Sequence, residues 1–423
     1  MVSSLSKAIG PGLIMAGAAI GVSHLVQSTR AGAEYGTTLI PLILLACLFK
    51  YPFLEFGPRY AAATGESMLV GFKRLGNWAL VLFALVTLST MFVILASVTL
   101  VTAGLAGVVF GLEVSPTWLS LGVLLVCMTL LVLGQYRGLD TGMKWVMGAL
   151  LVSTLAATSL AMFGQDDWSP LNPMAHWDAV WTAAGIAFVL ALLGWMPIPL
   201  DVAAWHSLWT LERARQTGHT PSVQESVFDF RLGYLAATVS AIIFVVLGAV
   251  VLAGSDTALP TGAVAFSDQL IRLYTASLGE WSHVLIAVGA LSAMFSTTLA
   301  VIDAYPRVLQ GLMDLKATPT PHQSVDGDGH VPMRRYVILL TLMAAGALLI
   351  IATVGQQFTR LIDFATTVSF LSAPILAWLS LRLITSPWVA PQHQPSKPLR
   401  YLAGAGLVFL IGFCVAWAFW RFN

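Results

Sequence analysis

The sequence is short of charge and of cysteine. Only 10% of its 423 residues are Asp, Glu, Lys or Arg, whereas soluble proteins average about 25%, and this excludes an ordinary soluble globular protein. The three cysteines, Cys47, Cys127 and Cys414, lie singly in apolar runs, so we expect neither a disulfide framework nor a thiolate metal cluster. The formal net charge is only +1, which gives no reason to expect a nucleic-acid partner.

The sequence also lacks the motifs of common membrane enzymes and ATP-driven pumps. It contains no His-Glu-x-x-His, no Gly-x-Ser-x-Gly and no P-loop. We therefore expect no enzymatic activity and no cofactor. If the chain moves a solute, it must use an ion gradient or dissipate the gradient of the solute itself.

Long apolar runs dominate the sequence instead. Hydrophobic residues make up 57% of the chain, and runs of roughly 18 to 25 residues are long enough to cross a lipid bilayer as helices. We predict eleven spans, of which the third is long enough to be tilted or extended. They lie at about 8–28, 37–58, 78–110, 116–135, 143–163, 179–209, 232–254, 281–304, 335–354, 361–383 and 401–420.

The basic residues are distributed unequally between the two ends of these spans. Of 21 Lys and Arg residues, 16 fall on the side of the N-terminus and four on the other, while Lys50 lies within a span. Because cytoplasmic loops are enriched in Lys and Arg, we predict a cytoplasmic N-terminus and an external C-terminus. The expected location is the bacterial cytoplasmic (inner) membrane.

Two predicted spans contain helix-breaking residues near their middle. Pro197 and Pro199 interrupt the sixth span, because proline removes a backbone donor and clashes with the preceding turn. Gly17 and Gly21, followed by polar residues, weaken the first span. A broken helix is tolerated in a bilayer only where its freed backbone groups line a cavity or meet a ligand, so we expect a binding site at these breaks.

The breaks recur five helices apart, which is typical of two inverted halves with a site at the bilayer midplane. We predict a single transmembrane domain in which the first repeat covers about 8–163 and the second about 179–383. An extra helix at about 401–420 follows the second repeat.

Five segments resemble one transporter family in their order and placement. They are residues 10–12, 31–36, 59–65, 196–197 and 296–298. On these segments the chain resembles the natural resistance-associated macrophage protein (Nramp) family, proton-coupled importers of manganese, iron and related divalent metals. The resemblance implies an all-α membrane protein with a leucine-transporter-type 5+5 inverted repeat, discontinuous helices 1 and 6, and one extra C-terminal helix.

The chain departs from the family at its metal-binding motifs. The family has Asp-Pro-Gly-Asn in the first helix, where this sequence has Gly21, Val22, Ser23 and His24. Met196 keeps the position of the family's methionine ligand, whereas the His-Asn that follows in the family is replaced. The third span also lacks the acidic residues of the family's proton pathway.

The remaining donors define a candidate site. Thioether and imidazole suit transition metals better than Mg²⁺ or Ca²⁺, and a buried dication requires donors that replace its hydration. The candidate metal ligands are Met196, His24 and Asp201, and the substrate site also includes Ser23, Gly21 and Gln27. The candidates for proton coupling are His24 and Asp201, with His206, Thr297 and Thr298 as accessory candidates.

Most of these residues also have a purely structural interpretation. Asp201 precedes the second half of the broken sixth helix, where it could cap that half-helix as well as contact substrate. His24 could bond a neighbouring helix, although with Gln27 and Ser28 it predicts a polar stripe facing inward. Met196 could be a packing residue.

Three further polar groups in the spans are open to two interpretations. Lys50 is expected to snorkel to the cytoplasmic surface or to pair with Glu55, with ion coupling as the alternative. Thr297 and Thr298 could bond their own helix backbone or line a cation site.

The sequence therefore predicts a secondary transporter that works by alternating access. One hypothesis is proton-coupled symport of divalent metals of the Mn²⁺ and Fe²⁺ class, with the metal as substrate. The other is a transporter of an organic solute or monovalent ion, in which half-helix N-termini hold a carboxylate. The loop at about 305–334 contains acidic and histidine side chains, for which a solvated loop is favoured over a surface metal site. The sequence makes no prediction of oligomeric state.

Overall fold

The structure is a computed structural model that describes residues 7–133, 136–163, 168–252, 260, 262–317 and 333–422. Within these residues it is helical, without a strand. The helices are α1 (Pro11–Ala19), α2 (Ser23–Tyr35), α3 (Ile40–Thr64), α4 (Met68–Leu75), α5 (Asn77–Phe110), α6 (Pro116–Val132), α7 (Tyr136–Phe163), α8 (Trp177–Val180), α9 (Ala183–Trp195), α10 (Val202–Thr217), α11 (Val223–Leu252), α12 (Ala263–Leu278), α13 (His283–Ala317), α14 (Met333–Val354), α15 (Phe358–Ile384) and α16 (Lys397–Phe422).

The apolar helices confirm a multi-pass membrane protein of the all-α class. In the described part of the chain, seven helices are long and apolar enough to span a bilayer, or eight if α1 and α2 form one bent span. Three shorter apolar helices lie in α6, α7 and α9. Every predicted span falls on one or more helices, while the total of eleven spans, the inverted repeat and the orientation of the termini stay predictions.

Several helices extend beyond the predicted spans into polar sequence. The span predicted at 281–304 continues as α13 to Ala317, and the predicted connection at 210–231 is reduced because α10 ends at Thr217 and α11 begins at Val223. Charged residues such as Arg and Glu are good helix formers, so a helix does not end where its apolar run ends. The polar loop residues 318–332, including the acidic and histidine side chains, lie outside the described residues.

Two helices between the spans were not predicted. α4 is only eight residues long, and α12 carries charged residues, among them Asp268 and Arg272. Neither forms an apolar run. α12 nevertheless packs closely on α5, because a Cβ on Gly104 would lie 2.6 Å from the carbonyl oxygen of Ala263.

α11 supports both halves of the broken first helix. A Cβ on Gly233 of α11 would lie 2.0 Å from the carbonyl oxygen of Gly12 in α1, and a Cβ on Gly32 of α2 would lie 2.0 Å from that of Val245 in α11. Glycine at these positions lets the helix backbones touch. The two half-helices are thus fixed to one continuous neighbour.

The halves of the broken sixth helix pack against different neighbours. A Cβ on Gly194, near the end of α9, would lie 2.0 Å from the carbonyl oxygen of Thr366 in α15. A Cβ on Gly57 of α3 would lie 2.1 Å from the carbonyl oxygen of Ala203 in α10. Backbone contacts therefore tie α9 to α15 and α10 to α3.

Candidate functional site

The break predicted in the first helix is present in the structure. α1 ends at Ala19, and α2 begins at Ser23 after a bend of 43°. Gly21 lies in the bend, where a Cβ would meet the Thr297 hydroxyl oxygen at 2.7 Å. The bend therefore packs against α13 at a point where only glycine fits.

His24 is fully buried beside this bend and both its ring nitrogens are engaged. Nε2 lies 2.8 Å from the carbonyl oxygen of Ala237 in α11, and Nδ1 lies 2.8 Å from the Ser23 hydroxyl oxygen. Because a carbonyl oxygen can only accept, Nε2 is the nitrogen that donates. The Ser23 hydroxyl also lies 2.7 Å from the carbonyl oxygen of Ala19. His24 could bind a metal only by giving up one of these bonds.

The predicted polar stripe on α2 is buried, but its members face three different neighbours. His24 bonds α11, the Gln27 amide donates to Asp363 of α15 at 3.0 Å, and the Ser28 hydroxyl lies 3.8 Å from the Met196 sulfur. The reason is local winding, since Ser23–Ser28 forms a π-helix with a wider turn than the α-helix. Residues three and four apart therefore do not share one contact surface here.

A buried arginine links α2 to two other helices. Arg30 donates to Asp363 of α15 at 2.7 Å and to the side-chain oxygen of Gln27 at 3.0 Å, and its guanidinium lies 5.0 Å from the ring centre of Phe188 in α9. Gln27 is thus part of an ion-pair network that ties the first broken helix to the helices around the second break.

The second break lies where the two prolines predicted it. α9 ends at Trp195, Met196 is extended with φ −89° and ψ 124°, and α10 begins at Val202. Met196 is fully buried, and its sulfur faces the Ser28 hydroxyl of α2. The structure therefore places Met196 of the second break against α2, the second half of the broken first helix.

Asp201 is a buried carboxylate at the same break. It occupies the N-cap position of α10, where the helix dipole favours a negative charge, but its side chain makes no capping hydrogen bond of standard geometry. The hydroxyl of Tyr305, in α13, donates to its Oδ2 at 3.4 Å. No local pattern in the sequence indicates this tyrosine, which lies 104 residues away from Asp201.

The expectation for Lys50 is wrong. Its side chain is fully buried, and Nζ donates to the carbonyl oxygens of Leu193 at 3.2 Å and Gly194 at 3.0 Å, in the last turn of α9. Glu55 pairs with Arg59 instead, at 2.6 Å. The carbonyls freed at the end of α9 attract the ammonium more strongly than a surface position does, because a helix C-terminus carries partial negative charge.

The threonines of α13 act as helix contacts. The Thr297 hydroxyl lies 2.8 Å from the carbonyl oxygen of Gly17 in α1 and 3.2 Å from that of Ala293 in its own helix. The Thr298 hydroxyl lies 2.7 Å from that of Thr102 in α5. Thr297 therefore adjoins the first break, whereas Thr298 faces away to α5.

His206 lies five residues beyond Asp201 in α10 and is buried. Among the described residues neither of its ring nitrogens has a hydrogen-bond partner. Its nearest ring neighbours are Trp209 and Phe230. The structure thus gives His206 an aromatic environment.

The donors at the two breaks do not form a conventional metal-binding cluster. In the part of the chain that the structure describes, no three His, Cys, Asp or Glu side chains converge on one point. The arrangement provides one thioether, one buried carboxylate, hydroxyls and freed main-chain carbonyls. The roles assigned to Met196, His24 and Asp201 stay predictions.

Known proteins match the chain along nearly its whole length. A profile of natural resistance-associated macrophage protein-like (Nramp) sequences matches residues 12–419. An uncharacterized protein of Pasteurella multocida (strain Pm70) is 33% identical over 411 residues, 96% of this chain and 90% of that protein. Metal transporter Nramp3 of Oryza sativa subsp. japonica is 26% identical over 424 residues, 94% of this chain and 71% of that protein.

Solved structures share the fold at low sequence identity. A manganese transporter of Eremococcus coleocola, in complex with an aromatic bis-isothiourea substituted compound, has a TM-score of 0.74 and 14% identity, covering 98% of this chain and 86% of that one. MhsT in complex with L-phenylalanine has a TM-score of 0.54 and 15% identity, covering 95% and 98%. These likenesses confirm the predicted fold class.

Proposed function

Since the chain belongs to the natural resistance-associated macrophage protein (Nramp) family, we propose that it imports divalent transition-metal cations of the Mn²⁺ and Fe²⁺ class. The mechanism is secondary transport with alternating access, in which the ion binds between the two helix breaks. Two similar proteins support this proposal, one named a metal transporter and the other a manganese transporter.

One observation supports the proposal most directly. The Met196 sulfur is buried at the second break and faces the Ser28 hydroxyl of the first broken helix at 3.8 Å. A thioether favours transition metals over Mg²⁺ and Ca²⁺. Asp201 at the same break supplies a negative charge, and freed carbonyls complete the donor set. With one carboxylate, the site binds its ion more weakly than a site with two.

Proton coupling is a further part of the proposal. His24 and Asp201 are buried ionisable groups next to the two breaks, and such groups in a membrane interior mark proton or ion pathways. In this proposal His24 takes up a proton at Nδ1, which then donates to the Ser23 hydroxyl 2.8 Å away. An inward proton gradient therefore accelerates uptake.

The test is Mn²⁺ uptake into proteoliposomes, with and without an inward proton gradient. We expect saturable uptake by the native chain and reduced uptake by His24→Ala and Asp201→Asn. His219→Ala removes a histidine that pairs with Glu225 near the start of α11 and is the matched control with native uptake. Absence of uptake above empty liposomes, in protein that elutes as a folded species, contradicts the metal-import proposal.

A second candidate is a transporter of an organic solute or monovalent ion. It is favoured by the lack of a three-ligand cluster in the described residues and by Gly21 in place of a carboxylate at the first break. The half-helix N-termini at the breaks then interact with a substrate carboxylate, at α10 only with Asp201 protonated. Uptake of labelled amino acids, measured in the same liposomes, distinguishes this candidate from metal import.

A further inference from the structure

Lys50 occupies an unusual position for a membrane-buried lysine. Its side chain has no exposed surface, and its Nζ donates to two carbonyl oxygens in the last turn of α9, those of Leu193 and Gly194. The last four carbonyls of a helix lack partners within the helix and carry partial negative charge. An ammonium group is therefore bound where a free cation would be expected to bind.

The surroundings of this ammonium are suited to a cation. Asp201, a buried carboxylate, lies at the same break, at the N-cap of α10. Met196, with its sulfur facing α2, follows Gly194 by two residues. Carbonyl, carboxylate and thioether groups all offer lone pairs to a cation, so the break presents a negative environment around the lysine.

The side chain reaches this position from a different helix. Lys50 belongs to α3, whose backbone packs on α10 through Gly57, whereas the carbonyls belong to α9. The long methylene chain thus carries the ammonium from α3 to the last turn of α9, a helix that α3 also contacts directly. A flexible side chain can withdraw from its acceptors without moving either backbone.

From this geometry we propose that the Lys50 ammonium is a resident cation at the carbonyl end of α9, and that a divalent ion binds at the second break only by displacing it. Lys50 then lowers the affinity for divalent ions and is a specificity-determining residue. This inference rests on the proposed function, because it concerns the ion that enters the same break.

A purely structural role makes the opposite prediction. If Lys50 only satisfies the carbonyls of α9, its removal weakens the fold and never improves ion binding. If it is a resident cation, its removal relieves the repulsion between two positive charges at the same break and improves binding. A gain of affinity is therefore the decisive observation.

The experiment is equilibrium dialysis of radioactive Mn²⁺ against the full chain in detergent. Lys50→Gln keeps amide donors for the carbonyls without the charge, and we expect it to bind Mn²⁺ about tenfold more tightly than the native chain, or better. Lys50→Arg keeps the charge and should bind no more tightly than the native chain. Lys73→Gln, which removes an exposed ammonium bonded to Asn77, is the matched control and should match the native affinity.

Equal or weaker binding by folded Lys50→Gln overturns the proposal. If Lys50→Gln and Lys50→Met do not fold when extracted without metal, millimolar MnCl₂ during extraction should restore them, because a divalent ion can take the vacated place. Failure of that rescue also overturns the proposal.

The same measurements separate this inference from the proposed function. A native chain that neither binds nor transports Mn²⁺, beside a Lys50→Gln variant that binds it, contradicts metal import and supports the role of Lys50. A native chain that transports Mn²⁺ and binds it as tightly as Lys50→Gln does supports metal import and contradicts the role of Lys50.

Discussion

At the first helix break, α1 and α2 pack against the same helix, α11, whereas at the second break α9 packs against α15 and α10 against α3. The contacts at the first break are between backbones at both ends, as at Gly233 and Gly32. At the second break, the contact from α3 to the end of α9 is made by the Lys50 side chain.

This difference indicates which break can change its angle. A bend of 43° whose two arms lie on one continuous helix changes only if those backbone contacts separate. The arms of the second break follow two different helices, so relative movement of α15 and α3 alters the break directly. We therefore expect α1, α2 and α11 to move as one unit during transport and the second break to act as the hinge.

The strongest test of the comparison is to separate α2 from α11. In Gly32→Ala the added methyl group would lie 2.0 Å from the Val245 carbonyl oxygen, and we expect a loss of about 3 kcal/mol in the free energy of unfolding, as for severe overpacking. Denaturant unfolding in detergent measures it. Gly122→Ala, where a Cβ meets nothing within 4 Å, is the control and should not lower stability, because alanine favours a helix interior over glycine by up to about 1 kcal/mol.

The second test concerns the start of α1. The Asp229 carboxylate of α11 accepts the backbone N–H groups of Gly10 at 3.0 Å and Gly12 at 2.6 Å. Asp229→Ala leaves these buried donors unpaired, which should lower stability by about 1–3 kcal/mol. Asp268→Ala, in an exposed pair with Arg272, should leave the unfolding midpoint unchanged. A native-like midpoint for Asp229→Ala would show that α1 does not depend on α11.

The third test addresses the second break. Trp195 at the end of α9 donates from Nε1 to the Ser369 hydroxyl of α15 at 2.9 Å. Trp195→Phe removes this bond, and we expect the free energy of unfolding to fall by about 1 kcal/mol. Because the bond supports the hinge, we expect the rate of uptake to change by a larger factor than the folding equilibrium. Trp118→Phe, at an exposed tryptophan of α6, is the control. A loss of stability as large as that of Gly32→Ala would contradict the comparison.

The smallest effect is expected where the two broken helices meet. Arg30→Gln removes the charge that pairs with Asp363, whose side chain is 36% exposed. Such partly exposed pairs contribute about 1 kcal/mol or less and weaken with salt. Thermal unfolding at low and high salt should show a difference from the native chain that shrinks as salt increases. A difference that does not change with salt would indicate that packing on Phe188, rather than charge, holds Arg30.

The sequence predicts much of the fold because its strongest signals are local. Apolar runs mark the spans, and Pro197, Pro199 and Gly21 mark the breaks, since proline and glycine disturb a helix wherever it packs. α12 was not predicted because Asp268 and Arg272 interrupt its apolar pattern.

The candidate site is only partly predictable, because its contacts join distant parts of the chain. Lys50 meets carbonyls that lie 143 and 144 residues away, and Arg30 meets an aspartate 333 residues away. Because every residue has a backbone carbonyl, the sequence does not mark which carbonyls accept a hydrogen bond from a side chain. The sequence therefore identified His24 and Asp201 as buried polar groups at the breaks, but it did not identify their partners, and it placed Lys50 wrongly.

The π-helical stretch Ser23–Ser28 has one more consequence. A π-helix closes its hydrogen-bonded ring over one more residue than the α-helix, so the stretch corresponds to an α-helix with a one-residue insertion. Deleting one residue from this stretch would return it to an α-helix and leave Arg30 close to its present direction, whereas deleting one residue from a regular α-helix rotates all that follows by about 100°. The wide turn therefore absorbs one residue and preserves the rotational register between the two halves of the first helix.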